Sequence, residues 1–192
     1  FMLIVVCRGL GLDRDKMEEY FLDALAADPT NYYAYYEKLR YLFPQWHGSD
    51  EEMLSFARSA ALQAPPNTAI PLILAEAHWV LAKDAKDRRR YLSDPKVWDQ
   101  INSVYSDFFK AFPRSASERA SFARYAGIAG KEDLALDTFS KAIELSPRNE
   151  IVYYERADFF RKKKEYLRAV DDYTRSIEVN PKYREGEAIS QR

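Results

Sequence analysis

The sequence predicts an all-α protein, an α-solenoid of stacked helical hairpins. The first indication is a spacing, because Pro147 and Pro181 lie 34 residues apart and end the similar stretches AIELSP and SIEVNP. The second is that small and aromatic residues recur at the same distances before each proline. They are Ala135, Phe139 and Ala142 before the first, and Ala169, Tyr173 and Ser176 before the second. The third is composition, since six Gly in 192 residues are few for an all-β chain with many tight turns.

Helix packing explains why this pattern contains small residues. Two antiparallel helices approach closely only where one side chain is small, and Ala123 and Ala157 occupy that position in two successive units. Tyr153 is expected to fill the space alongside. A proline after the second helix cannot continue it and forces the turn into the next repeat.

Looser copies of the pattern extend to the start of the chain. Pro29 ends a partial unit whose first helix is the apolar opening, residues 1–9. We predict a single domain, residues 1–192, with an insertion near residues 83–94. Its repeats are residues 1–30, 31–66, 67–114, 115–148 and 149–182, followed by a tail at 183–192. Since position 1 is Phe, we expect the chain to be a fragment or a processed form.

Helix-start signals fall where this periodicity requires them. S-x-x-E capping boxes begin at Ser49 and Ser115. Asp94 precedes Pro95, which is the pattern of an N-cap before a proline at the first helical position. These signals are independent of the hydrophobic period and support the same helix boundaries.

Two stretches resemble known families. Residues 116–182 resemble the tetratricopeptide (TPR) family through the 34-residue pattern described above. The stretch YYAYYEKLRYLFPQWHGSDEEMLSFAR and the following LILAEAHW resemble a bacterial family, domain of unknown function 4034. The first resemblance implies a right-handed superhelical sense and a protein-binding scaffold. The second implies a bacterial origin and no particular activity.

Composition and charge narrow the classes of function. The 29 basic and 30 acidic residues nearly cancel, so the bulk charge does not indicate a nucleic-acid or membrane-surface partner. The single Cys7 excludes an intramolecular disulfide and a Cys-based zinc site, and we predict neither metal nor cofactor. We expect a cytoplasmic protein, with the periplasm left open. The apolar residues 1–6 are too short to span a bilayer, and half a repeat explains them better than the end of a signal peptide.

A partner-binding surface is predicted on the first helices of the hairpins. Register places aromatic and charged residues on their inner, concave face, where Tyr and Arg are favoured interface anchors. The candidates are Tyr33, Tyr36, Arg40, Arg124, Tyr154, Asp158 and Arg161. Some TPR proteins bind a C-terminal carboxylate through Asn and Lys side chains on the inner face of their first helices. The corresponding positions of this chain hold no Asn and no paired Lys, so a site of this kind is not predicted.

The two histidines and the basic runs are interpreted structurally. His47 is expected to be a loop residue and His78 a helix-packing residue, because neither has a carboxylate at a metal-ligand spacing. The basic runs at residues 88–90 and 162–164 are interpreted as solvated turns rather than nucleic-acid contacts.

The leading functional hypothesis is a non-catalytic scaffold that binds a peptide or protein in its concave groove. One alternative is a bacterial immunity protein that neutralises a toxin by binding it. Another is a hydrolase with a site near His47 and Ser49, although the capping box already explains Ser49. An exposed apolar first helix would also favour self-association.

Overall fold

The computed structural model describes residues 1–181, and within this range every regular element is an α-helix. The all-α prediction is therefore confirmed. The chain divides into two compact units, Phe1–Pro113 and Arg114–Arg192. The predicted tail at residues 183–192 lies outside the described residues.

The first unit contains seven helices. They are α1 (Met2–Leu10), α2 (Arg14–Ala27), α3 (Tyr32–Tyr41), α4 (Asp50–Gln63), α5 (Leu72–Asp84), α6 (Arg88–Ser93) and α7 (Pro95–Ala111). Helix α3 packs against both α1 and α5, and α6 packs against α5 and α7. The core of this unit is formed by fully buried side chains that include Ile4, Met17, Leu39, Met53, Ile73 and Ile101.

The second unit contains two helical hairpins within the described residues. Helices α8 (Ala116–Ile128) and α9 (Glu132–Leu145) form the first, and α10 (Glu150–Lys162) and α11 (Tyr166–Val179) form the second. Helix α10 also packs against α8. The small residues of the repeat pattern lie where the helices meet, since Ala123, Ala135, Ala142 and Ala157 are fully buried.

Two of the three predicted helix starts are capped as expected. Ser49 accepts a hydrogen bond from the Glu52 N–H (3.2 Å), and Asp94 accepts from the N–H groups that follow Pro95. At the third, α8 begins directly after Ser115 as predicted, but the Ser115 side chain forms no cap hydrogen bond. A sequence motif specifies the residue type but not the rotamer that brings the hydroxyl group to the amide.

The structure also corrects the interpretation of the basic run at residues 88–90. These residues are not a solvated turn but form the start of α6, which Asp87 caps by accepting from the Arg90 N–H (2.9 Å). The helix is held to the unit by Leu92, which is fully buried. The second basic run does include a turn, in which Lys164 adopts a positive φ of 64° between α10 and α11.

Within residues 1–181, no helix combines the length and the apolar character that crossing a membrane requires.

We expect Ala157→Trp to lower the free energy of unfolding by about 1–3 kcal/mol, because an indole does not fit a fully buried alanine site. The measurement is a thermal melt followed by circular dichroism. Thr174→Trp is the matched control, since residue 174 is exposed on α11 and can carry the same indole at the surface. Equal melting temperatures for the two variants would contradict the packing described here.

Candidate functional site

Three of the predicted partner-binding residues lie on α3 in the first unit. Tyr33 is 62% exposed, and its ring lies 5.6 Å from that of Phe1. Tyr36 is half-buried and stacks on Tyr32 with ring centroids 6.1 Å apart. The Arg40 guanidinium lies 5.7 Å from the centre of the Tyr36 ring, within cation–π range. The structure thus brings Tyr33, Tyr36 and Arg40 onto one helix as neighbours.

A buried carboxylate supports this α3 surface from below. The Glu37 carboxylate forms ion pairs with Arg8 of α1 at 2.5 Å and with Arg40 at 3.4 Å. The Arg8 and Glu37 side chains are both nearly buried, so this ion pair fixes α3 against α1. Burial raises the pKa of the Tyr36 hydroxyl group, with a smaller contribution in the same direction from Glu76. Tyr36 therefore stays neutral and can donate a hydrogen bond at physiological pH.

The other four predicted residues lie on α8 and α10 in the second unit. Arg124 of α8 contacts Glu155 of α10 at 3.1 Å, and both side chains are partly buried. Tyr154 packs edge-on against Tyr173 of α11, with ring centroids 5.5 Å apart. Arg124 and Glu155 therefore join α8 to α10, which is a structural role whether or not they also contact a partner.

Asp158 and Arg161 form a second group on α10. Asp158 accepts hydrogen bonds from Arg161 and Lys162. Burial alone would raise the pKa of the Asp158 carboxyl group, but hydrogen bonds from Lys162 and Arg161 outweigh it and lower the pKa. Hydrogen bonds to Asp158 and then to Tyr173 raise the pKa of Arg161. Tyr154, Asp158 and Arg161 are thus connected through Tyr173. That these residues and the α3 residues line one groove stays a prediction.

The loop PQWHGS between α3 and α4 is held by packing and backbone hydrogen bonds. The His47 N–H donates to the Tyr41 carbonyl oxygen (3.3 Å), and the His47 ring stacks on Tyr41 at 4.4 Å. Arg14 donates to the His47 carbonyl oxygen at 3.0 Å. Gly48 passes so close to Leu42 that a Cβ at this position would lie 2.3 Å from the Leu42 carbonyl oxygen. Only glycine fits there, which accounts for the Gly in the motif.

His47 and Ser49 are engaged separately rather than with each other. The Ser49 hydroxyl group donates to the Glu52 carboxylate at 3.1 Å and accepts from the Glu52 N–H at 3.2 Å. The buried Nε2 atom of His47 has no hydrogen-bond partner among the described residues. The hydrolase alternative needs a histidine that accepts the serine proton, and this geometry does not provide it.

A polar cluster that sequence reasoning missed surrounds His78. This residue of α5 is 1% exposed, and its Nδ1 atom lies 2.9 Å from the Tyr91 hydroxyl group of α6. Its Nε2 atom lies 3.4 Å from the Gln100 side-chain oxygen of α7. Burial lowers the pKa of His78 to about 4 and raises the pKa of Tyr91 to about 12. Both groups are therefore neutral at physiological pH.

The hydrogen bonds of Gln100 determine the proton position on His78. Its side-chain oxygen also receives the Arg58 Nε–H (3.2 Å), and its side-chain nitrogen donates to the Lys96 carbonyl oxygen (3.1 Å). Because that oxygen can only accept, the His78 proton is on Nε2, and Nδ1 accepts from Tyr91. His78 is the helix-packing residue that the sequence predicted, but its partners are in the insertion and the helix after it.

The described residues contain neither a cluster of metal ligands nor an accessible thiol. Within residues 1–181, no group of three or more His, Cys, Asp or Glu side chains is arranged to hold a metal ion. Cys7 is buried in α1, and burial raises the pKa of its thiol, so it behaves as a core residue.

Comparison with known proteins agrees with this geometry. The family model described as Domain of unknown function (DUF4034) matches residues 11–64, and the model described as Tetratricopeptide repeat matches residues 151–183. The crystal structure of TTC0263, a thermophilic TPR protein in Thermus thermophilus, is similar with a TM-score of 0.66 and 22% identity. That similarity covers 96% of this chain and 91% of TTC0263. The chain therefore has a TPR-like fold.

Two further solved structures share the fold of the TPR-like chain. MamA is similar with a TM-score of 0.50 and 15% identity, over 93% of this chain and 95% of MamA. YrrB, described as a TPR protein with an unusual peptide-binding site, is similar with a TM-score of 0.51 and 13% identity, over 98% of this chain and 89% of YrrB. At these identities the likeness concerns the fold alone.

The two family matches explain which features of the TPR-like chain were visible in its sequence. The DUF4034 match covers α2 to α4 and the TPR match covers α10 and α11. His78, Tyr91 and Gln100 lie outside both. The one sequence signal for this cluster was Tyr91, the single aromatic residue of the insertion, and a surface turn explains such a residue equally well.

Proposed function

We propose that the TPR-like chain is a non-catalytic scaffold that holds a peptide or protein partner against the first helices of its hairpins. The fold supports this function, since stacked helical hairpins present extended binding surfaces. YrrB, a TPR protein of similar fold with an unusual peptide-binding site, is consistent with it.

The α3 surface carries the proposal. A tyrosine that is 62% exposed, beside an exposed Phe1, would bury a large aromatic area on contact with a partner. Arg40 lies on the same helix and is held by Glu37, so little side-chain entropy is lost when it binds. We infer that Tyr33, Tyr36 and Arg40 contact the partner directly. Arg124, Tyr154, Asp158 and Arg161 are proposed as a second contact region.

The experiment is an affinity capture from a lysate of the source organism, followed by mass spectrometry and binding measurements with the purified partner. Tyr33→Ala/Arg40→Ala tests the α3 surface, and Tyr166→Ala/Arg175→Ala is the control. The control is closely matched, because Tyr166 is 61% exposed and Arg175 is also exposed, both on α11. We expect the α3 variant to bind at least about tenfold more weakly, as loss of interface anchors usually does.

Folding of each variant is checked by circular dichroism before binding is compared. A partner that binds wild type and both variants equally would contradict the α3 assignment. A partner lost only with Tyr166→Ala/Arg175→Ala would place the contact on α11 instead. Tyr154→Ala/Arg161→Ala tests the second region in the same way.

A further inference from the structure

We propose that a cavity bordered by α4, α5, α6 and α7 binds a small organic anion. A phosphate or carboxylate group would contact the cations at its rim, and an apolar body would lie against its wall. The cavity measures about 640 Å³, a size typical of small-molecule sites. It belongs entirely to the first unit and shares no residue with the α3 surface, so it is independent of the proposed partner binding.

Charge is the first argument for an anionic ligand. The side chains lining the cavity include four cations, which are Arg58, Lys86, Arg90 and Lys96. In the part of the chain that the structure describes, none of these four forms an ion pair. Cations that converge without carboxylate partners raise the local concentration of anions.

The two carboxylates in the lining are already occupied by backbone groups. Asp87 accepts from the Arg90 N–H at 2.9 Å and caps α6. Asp94 accepts from the Lys96 N–H at 2.9 Å and from the Val97 N–H at 3.3 Å, and caps α7. Their roles as N-caps explain their presence in a cationic cavity without pairing them to its cations.

A fixed polar wall is the second argument. The Gln100 side-chain oxygen accepts hydrogen bonds from the His78 ring and from the Arg58 Nε–H. The Arg58 guanidinium is therefore positioned before a ligand binds. Its two terminal amino groups remain to form the paired hydrogen bonds that phosphate and carboxylate groups accept. Tyr91 is held in turn by the His78 ring at 2.9 Å. Such preorganisation is typical of binding sites.

Apolar side chains favour an organic ligand over an inorganic ion. Leu54 of α4 and Val97 of α7 line the same cavity, together with the ring of Tyr91. These groups offer an aromatic or aliphatic body a surface that removes it from water. The chemistry that fits is therefore an anionic head group on a small apolar body.

The test is isothermal titration calorimetry of the full chain with phenyl phosphate, benzoate, inorganic phosphate and benzyl alcohol. We expect saturable one-site binding of phenyl phosphate or benzoate, weaker binding of inorganic phosphate, and none of the uncharged alcohol. Arg58→Gln should weaken binding at least about tenfold, as the loss of charge-assisted hydrogen bonds implies. Arg89→Gln is the matched control, because Arg89 is exposed on the same short helix and does not line the cavity.

The outcomes separate a built site from general attraction of anions. Absence of saturable binding by both organic anions would overturn the proposal. Equal weakening by Arg89→Gln would show that net charge alone attracts the anion, and this also overturns it. Equal affinity for inorganic phosphate would remove the organic part of the assignment. Loss of the protein partner in Tyr33→Ala/Arg40→Ala tests only the scaffold function, so the two proposals fail independently.

Discussion

Replacing Asp172 by Ala is expected to lower the free energy of unfolding by about 3 kcal/mol, among the largest effects of a single substitution in this chain. Asp172 is 5% exposed on α11. Its two carboxylate oxygens receive Nε–H and Nη2–H of Arg156 on α10, each at 2.7 Å. Removing the carboxylate leaves the Arg156 charge without its partner inside the α10–α11 hairpin. The expected loss is at the low end for buried pairs, because the Arg156 side chain is 23% exposed and water can reach it.

Urea denaturation followed by circular dichroism measures this loss. Asp171→Ala is the matched control, since the neighbouring Asp171 is exposed on the same helix and should change stability by less than about 0.5 kcal/mol. Replacing both members of the pair, as Arg156→Leu/Asp172→Leu, should recover much of the stability, because no charge is then left buried. Equal midpoints for Asp172→Ala and Asp171→Ala would show that the pair does not hold the hairpin.

Helix positions were the part of the fold that the sequence could predict. Helix α4 (Asp50–Gln63) begins directly after Ser49, where the capping-box motif predicts a helix start. The small residues of the repeat, such as Ala123 and Ala157, are fully buried as their spacing implied. Both predictions depend only on residues that are close together in the sequence.

Features that depend on distant contacts could not be predicted. Helix α6 lies in the insertion, where the repeat period is interrupted, and only the burial of Leu92 distinguishes it from a surface turn. The Arg156–Asp172 pair joins two helices, and each partner alone resembles an ordinary surface charge. A period shows which helix face is apolar, but it does not show which charged side chains meet across a packed interface.

Helix register predicted only part of the candidate partner-binding surface correctly. Of the two tyrosines predicted on α3, Tyr33 is 62% exposed, whereas Tyr36 is half-buried. Arg40 and Arg124 have the predicted helix positions, yet both also form ion pairs within the chain. Residue type and register therefore identify surface candidates without showing which of them are structural.

His78 should make the protein lose stability as the pH falls from about 7 to 4. Burial lowers its pKa from 6.5 to about 4, whereas in the unfolded chain it titrates near 6.5. Between these values the unfolded state binds the proton and the folded state does not, so acid favours unfolding. The contribution of His78 to the free energy of unfolding is fully present above pH 6.5, and about 3 kcal/mol of it is lost by pH 4. Arg58, which faces His78 through Gln100, acts in the same direction because a second positive charge disfavours the imidazolium.

The variant His78→Gln isolates this contribution from that of the carboxylates. Gln does not titrate, so the stability of His78→Gln should fall less between pH 7 and pH 4 than that of wild type, by about 3 kcal/mol. Comparing slopes rather than absolute stabilities removes the cost of repacking a buried position. Parallel pH profiles for wild type and His78→Gln would mean that the folded protein protonates the imidazole as readily as the unfolded chain does. That would contradict a pKa lowered by the burial of His78.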